Sequence, residues 1–363
     1  MQTQWWDNRK KIENESESED LLFEVMECNN YRKSFFKVIF HSCEFNFLKK
    51  MLFFLVLFSF SLISYCQSEI ASPLHFLNDR ERKVIPLDKK KLKRLIIRES
   101  IGYGSAMTGA YFLWYKNSIS GGFHSFNDSK EWLLMDKFGH FSSSFIIANA
   151  SIKGYQWTNL DFNKSLLIGS LQSLFFMTSL ELFDGFSSGY GFSWTDMGFN
   201  VLGVGAYYTN NKFQNIISIQ PKYSYRKSEM AQYRPNILGQ NFIQQLFKDY
   251  NGQTYWLSFR MNFIKIKTDK TYCMPFNISL GYGAQGMTGG HENVSINEQG
   301  NLVPDFQRFR QFYLSFDIDL RQIPCKNKTL KKVLSTLNIL KFPFPALEFS
   351  RGKVFMNWTS YGK

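Results

Sequence analysis

Three separated stretches of this chain carry ionisable side chains at spacings that could place them around one point. Asp136-Lys137-Phe138-Gly139-His140-Phe141 sets an aspartate and a histidine four residues apart, which puts both on one face of a helix. That face continues through Ser143, Ser144, Ile147 and Ser151, whose small side chains would let a second helix approach closely. Glu181 and Asp184 stand three apart at the end of a long apolar run. A lone charge at Glu181 would cost several kcal/mol to bury, so this acid must be paired, protonated or coordinating. Gly191-Phe192-Ser193-Trp194-Thr195-Asp196 leads into a fourth stretch where Asp196, Asn200, Gly203 and Tyr207 recur at helical spacing.

Carboxylates gathered beside an imidazole support three kinds of chemistry. They can bind a hard or borderline divalent metal, with His140, Glu181, Asp184 and Asp196 as candidate ligands. They can push their pKa values apart and act as acid and base, with Asp136, His140, Glu181, Asp184, Asp196 and Asn200 as candidates. Or they can form a hydrogen-bonded strut that fixes helix register. Asp196 alone has a simpler role too, completing an imperfect capping box behind Ser193. The chain contains no H-E-x-x-H, so the familiar zinc hydrolase signature is missing. His291, in the loop Gly286-Met287-Thr288-Gly289-Gly290-His291, reads as a surface residue.

The elements that would position these residues follow from periodicity. Helices are expected at about 96–117, 130–154, 164–186 and 194–210, separated by Gly121-Gly122, Asn163 and Gly189-Tyr190-Gly191. The third is the most apolar, yet Gln172, Ser173, Thr178 and Ser179 interrupt it, and no segment is a clean membrane span. Beyond about residue 215 the period changes to two. Strands are expected at 254–263, 276–282, 311–320 and 353–360, with short helices near 237–248 and 327–338. The fold class is therefore α+β: a bundle of about four small-residue-rich helices over 96–212, then a β-rich region over 213–363 that packs beside it and could face lipid.

Composition narrows the setting. The 363 residues are 44% hydrophobic and 18% aromatic, with 38 Phe and a formal net charge of +13. No basic run is interleaved with a nucleic-acid motif, so nucleic acid is not expected as a partner; the positive charge suits anionic lipid or other envelope components. Residues 51–63 form a short apolar run preceded by Lys49-Lys50, matching the hydrophobic region of a secretory signal over 51–67. We expect residues 1–50, with the acidic stretch from Glu13 to Asp20, to be an over-extended start and disordered. The true start would then be Met51 or Met26. Residues 68–95 read as a polar lead-in whose basic run Lys89–Arg94 opens a solvated helix. Tyr65 before Cys66 is too large for a lipidation site, so plain cleavage is expected. The mature chain would keep 35 basic and 21 acidic residues, a formal +14, from 43 − 8 and 30 − 9. Cys273 and Cys325 would remain and could pair in an oxidising compartment.

The three blocks Asp136–Phe141, Glu181–Gly185 and Gly191–Gly203 together resemble the YfiM-like family of predicted periplasmic lipoproteins, over about residues 96–210. The stretch Lys248–Ser258 looks like the C-terminal extension of longer members from Bacteroidetes-type bacteria. The same blocks are more loosely similar to VanZ-like membrane proteins. Neither resemblance assigns a reaction; both imply an exported protein at the periplasmic or outer-membrane face of a Gram-negative envelope. Three functions are therefore open: a structural or binding component of the envelope, a metal- or acid–base-dependent enzyme acting on lipid or glycan, and an outer-membrane β-barrel, for which the strands are few.

Overall fold

The computed structural model describes residues 86–116, 118–119, 122–212, 218–260, 276–323, 325–358 and 361. The expected signal segment, the acidic upstream stretch, Cys66 and Cys273 lie outside the described residues.

The first helix, α1 (Lys89–Ala110), starts earlier than periodicity suggests, because Asp88 caps it by accepting from the Lys91 amide at 3.0 Å. A π-helical turn, Tyr111–Tyr115, follows. Helices α2 (Met135–Trp157), α3 (Phe162–Gly185) and α4 (Trp194–Lys212) then form a three-helix core. Phe145, Ala148, Ile152, Leu166, Val204 and Tyr207 meet there. The buried side of α2 runs through Ser144, Ala148 and Ser151, while Ser143, expected on that face, is exposed. Small residues set the helix spacing. A Cβ on Gly169 would sit 2.4 Å from the Ile152 side chain, and one on Gly203 would sit 2.1 Å from Ser144 Oγ and 2.2 Å from the Phe141 carbonyl. Helix α3 is long and apolar enough to cross a membrane, but half of its apolar window is buried against the other helices.

The C-terminal half is one antiparallel sheet in chain order: β1 (Ile219–Tyr225), β2 (Gln253–Arg260), β3 (Phe276–Gln285), β4 (Phe309–Ile318), β5 (Ala346–Ser350) and β6 (Lys353–Asn357). This confirms the α+β class. Strands β1 and β5 were not foreseen; β1 contains Pro221, which argues against a strand in sequence. Leu340 pairs in parallel with Tyr223, so the open edge of β1 is covered. The helix expected near 237–248 is two, α5 (Pro235–Leu238) and α6 (Phe242–Lys248). Gly239 separates them at φ +105°, a conformation that strains other residues. Helix α7 (Lys328–Leu337) matches expectation.

The sheet presses on the first turn of α2. The Phe138 and Tyr282 rings stack with centroids 4.6 Å apart, and the Tyr282 hydroxyl donates to the Leu133 carbonyl. Gly203→Ala should lower the chemical-denaturation midpoint, by about 1–3 kcal/mol of overpacking. Gly205→Ala, with nothing within 4 Å of its Cβ, should be neutral or stabilising by up to about 1 kcal/mol. Equal effects of the two would contradict the close α2–α4 approach.

Candidate functional site

The start of α2 is where the acids gather. Before it, Trp132, Leu133 and Leu134 take left-handed backbone angles, φ 46°, 50° and 73°. Such residues cost about 1–2 kcal/mol each and need outside support. The support comes from the sheet side: the Trp132 amide donates to the Gly290 carbonyl at 2.8 Å, and the Trp132 and Tyr250 rings lie 5.3 Å apart. This turn delivers Asp136 and Lys137 into the space between α3, α4 and β2.

Lys137 has no exposed surface. Its ammonium lies 2.5 Å from Asp128 Oδ2, 2.7 Å from Asp196 Oδ1 and 3.2 Å from Asp136 Oδ2. Asp128 is fixed on its other oxygen by the Ser193 and Thr195 hydroxyls, which donate at 2.6 and 2.8 Å. Ser193 also caps α4, its Oγ accepting from the Asp196 amide at 3.0 Å, as the capping-box reading required.

His140 stands one turn along α2. Its Nδ1 donates to Asn200 Oδ1 at 3.2 Å and lies equally close, 3.2 Å, to Glu181 Oε1, which has no hydrogen-bond partner of its own. Nε2 points the other way across the ring. That nitrogen faces Asp136 Oδ1 at 3.8 Å and Asp196 Oδ2 at 3.9 Å, beyond hydrogen-bond length. One ligand atom from each of Asp136, His140 and Asp196 can be chosen so that all three lie within 4.8 Å of one another. Asp136 Oδ1 also accepts from the Tyr250 hydroxyl at 2.7 Å. Asn200 is fully buried, and its Nδ2 has no partner.

The site thus gathers five carboxyls, Asp128, Asp136, Glu181, Asp184 and Asp196, against one lysine and one imidazole. Burial raises the last three, because so many charges cannot all ionise away from water. Glu181 goes up to about 10, from burial and then the neighbouring Asp196 and Asp184 charges. Asp184 goes up to about 8 from burial, against a hydrogen bond from Tyr115. Asp196 goes up to about 9, from burial and the Asp136 charge. At Asp136 burial works against the charge, but His140, Lys137 and the Tyr250 hydroxyl outweigh it and hold the group low. At Asp128 burial is likewise outweighed, by hydrogen bonds from Asp196, Lys137 and Ser193, and the group falls to about 2. Lys137 is held above its ordinary value: burial opposes its charge, but Asp136 and Asp196 prevail.

Asp136, His140, Glu181, Asp196 and Asn200 therefore meet. Asp184 lies nearby and hydrogen-bonds with Tyr115, but it is not among the three residues whose ligand atoms converge. Sequence reasoning missed Asp128, Lys137 and Tyr250. Lys137 sat inside the first motif, and Tyr250 inside the Lys248–Ser258 stretch, so both were in view; Asp128 lies in a loop with no periodicity to mark it. His291 is half-exposed and pairs with Glu131 at 3.4 Å, apart from the cluster.

Residues 123–212 match a family described as "Predicted periplasmic lipoprotein (DUF2279)", a span that contains all three motif blocks but less than half of the chain. No curated protein and no solved structure matches. The family match supports an exported, periplasmic protein of the envelope.

The shifts fix the pH dependence. Glu181, Asp184 and Asp196 have folded pKa values above their ordinary 4.5, 3.8 and 3.8. Their contribution is fully present below about pH 4 and is lost as pH rises through about 8 to 10, each titration adding up to about 1.4 kcal/mol per pH unit. Asp128 runs the other way, its contribution being lost as pH falls through about 2. The melting temperature of the metal-free protein should decline from pH 5 to pH 9, and Glu181→Gln should flatten that decline. A flat wild-type profile would contradict the buried excess of carboxyls.

Proposed function

We propose that this exported, membrane-associated envelope protein binds a divalent cation at the vertex formed by His140 Nε2, Asp136 Oδ1 and Asp196 Oδ2. The observation that carries the reading is the division of labour at His140. Its Nδ1 is committed to Asn200 and lies against Glu181, and its Nε2 stands between two carboxylate oxygens, where the neutral ring would offer its lone pair to an ion. A metal-bound histidine is oriented in the same way, by a partner on its other ring nitrogen.

Charge supports it as well. A cation would balance part of the carboxyl excess that Lys137 alone leaves, and Lys137 would hold the far oxygens of Asp136 and Asp196 in place. Ligands about 2.1 Å from a tetrahedral ion stand about 3.4 Å apart, so the gaps of 3.8 and 3.9 Å from His140 Nε2 to the two carboxylate oxygens need to close by only about half an ångström. The imidazole–carboxylate set suits zinc or manganese better than a thiol-seeking ion. The side chains of Asp136 and His140 keep 25% and 15% of their surface exposed, so both are reached by solvent. The Ser193 and Thr195 hydroxyls both donate to Asp128, and the Tyr250 hydroxyl donates to Asp136. A covalent nucleophile is therefore not favoured over binding.

Calorimetric titration of the metal-free full-length protein with Zn²⁺ and Mn²⁺ tests this. One site is expected. His140→Ala should abolish it while shifting the melting temperature by only a few degrees, and Asn200→Ala should weaken it about 10–100-fold. His291→Ala should leave it unchanged. Undiminished binding in His140→Ala would overturn the proposal. So would a wild type that binds neither ion: the cluster would then be a strut.

A further inference from the structure

The sheet is built with its polarity reversed. In a soluble antiparallel sheet the apolar face packs on the core and the polar face meets water. Here the outward positions of β3 and β4 are Phe276, Ile278, Leu280 and Phe312, Leu314, Phe316, all exposed. The alternate positions between them, Asn277, Ser279, Tyr313 and Ser315, are buried. Strands β5 and β6 continue the outer face with exposed Phe349, Val354 and Met356, while Glu348 is buried.

The polar interior is organised rather than incidental. Lys222 Nζ lies 2.6 Å from Asp317 Oδ2, which also accepts from Ser258 Oγ at 2.8 Å. Gln311, Ser350 and Asn357 all donate to Glu348 at 2.7 Å. A one-residue slip in register would break these bonds, so the apolar residues are held outward. Polar-in and apolar-out is the arrangement of strands that face lipid.

Charge marks the two ends of this face. At the end nearer the helices, Arg310, Arg351 and Lys353 are exposed. At the other end lies α7, with exposed Leu330, Val333 and Leu337 along one side and exposed Lys328 and Lys332 elsewhere on its surface. A basic amphipathic helix of this kind suits the headgroup layer of an anionic membrane. Between the two ends, the outward positions from Phe312 to Ile318 and from Phe276 to Leu280 carry no charge; at Tyr282 the same face is covered by Phe138 of α2. Six residue steps make this band about 20 Å tall, which falls short of the ~30 Å hydrocarbon core of a bilayer.

We infer that the outer face of β3–β6 is immersed among the acyl chains of a bilayer, with α7 and the basic strand ends at the level of anionic headgroups. This deepens the membrane association proposed above by naming the surface that makes it, and it is independent of the cation site. The competing occupant is a second copy of this chain, meeting through the same face.

The test uses the full chain with its native cysteines replaced, carrying a single environment-sensitive fluorophore at Leu280→Cys, Leu314→Cys or, as a control, Leu302→Cys. Leu302 is exposed but lies in a loop off the sheet. Each variant is checked for unchanged circular dichroism and mixed with phosphatidylethanolamine–phosphatidylglycerol vesicles that carry nitroxides on the acyl chains. Labels at 280 and 314 should be quenched about twofold or more, and should stay quenched in 1 M salt, because apolar insertion resists screening. The label at 302 should not be quenched. Unquenched labels at 280 and 314 on vesicle-bound protein would overturn the inference. So would a change at these positions that follows protein concentration without lipid, which would assign the face to a second copy. Either result leaves the cation reading untouched, since that is read by calorimetry on His140 and Asn200.

Discussion

The ammonium of Lys137, wholly buried, touches Asp128, Asp136 and Asp196. Breaking a buried ion pair from one side costs about 3–5 kcal/mol, because the remaining charges are left in a medium that cannot solvate them. The surrounding structure is arranged to hold this contact. The left-handed turn at Trp132–Leu134 aims Lys137 inward, Ser193 and Thr195 fix Asp128, and Ser193 also starts α4 so that Asp196 falls in its first turn. One cation cannot balance five carboxyls. The remainder is handled by protonating Glu181, Asp184 and Asp196 or, in the proposed function, by a bound ion at His140.

The helical and β parts depend on each other through a few contacts. Tyr250 reaches Asp136, Tyr282 supports the left-handed turn, and Gly139 leaves room for the Tyr255 hydroxyl, which would lie 3.0 Å from a Cβ there. The sheet therefore acts as a wall of the site. Further along the same face, beyond Tyr255 and Tyr282, the strands carry exposed aromatic and aliphatic side chains over a hydrogen-bonded polar interior. If that face is set in lipid, the cation vertex lies on the part of the chain nearer the basic strand ends, close to the membrane surface.

Much of the site was legible because its residues obey helical spacing. Asp136 and His140 at i and i+4, and Asp196 and Asn200 at i and i+4, share faces by geometry alone, and the acid at Glu181 stood out against its apolar surroundings. What spacing could not show was which loop residue would complete the cluster. Asp128 belongs to no periodic pattern, and Lys137 read as one basic residue among many. Helix starts were misplaced where a cap decided them, as at Asp88, or where tertiary support enforced an unfavourable backbone, as at Trp132–Leu134. In the β half, period-two segments located β2, β3, β4 and β6. Strand β1 escaped because Pro221 and Lys222 disguise it, and its lysine makes sense only once Asp317 is seen opposite. Which face of the sheet is inside cannot be read from alternation, since alternation is the same in either case.

The central claim is that His140 Nε2 and the near oxygens of Asp136 and Asp196 form a cation site. Anomalous diffraction at the zinc edge, on crystals of the full-length protein grown with Zn²⁺, tests it most directly. The account predicts a peak about 2.1 Å from His140 Nε2, bridged to Asp136 and Asp196. A peak at His291 and Glu131 alone, or none while the zinc is present in excess, would contradict it.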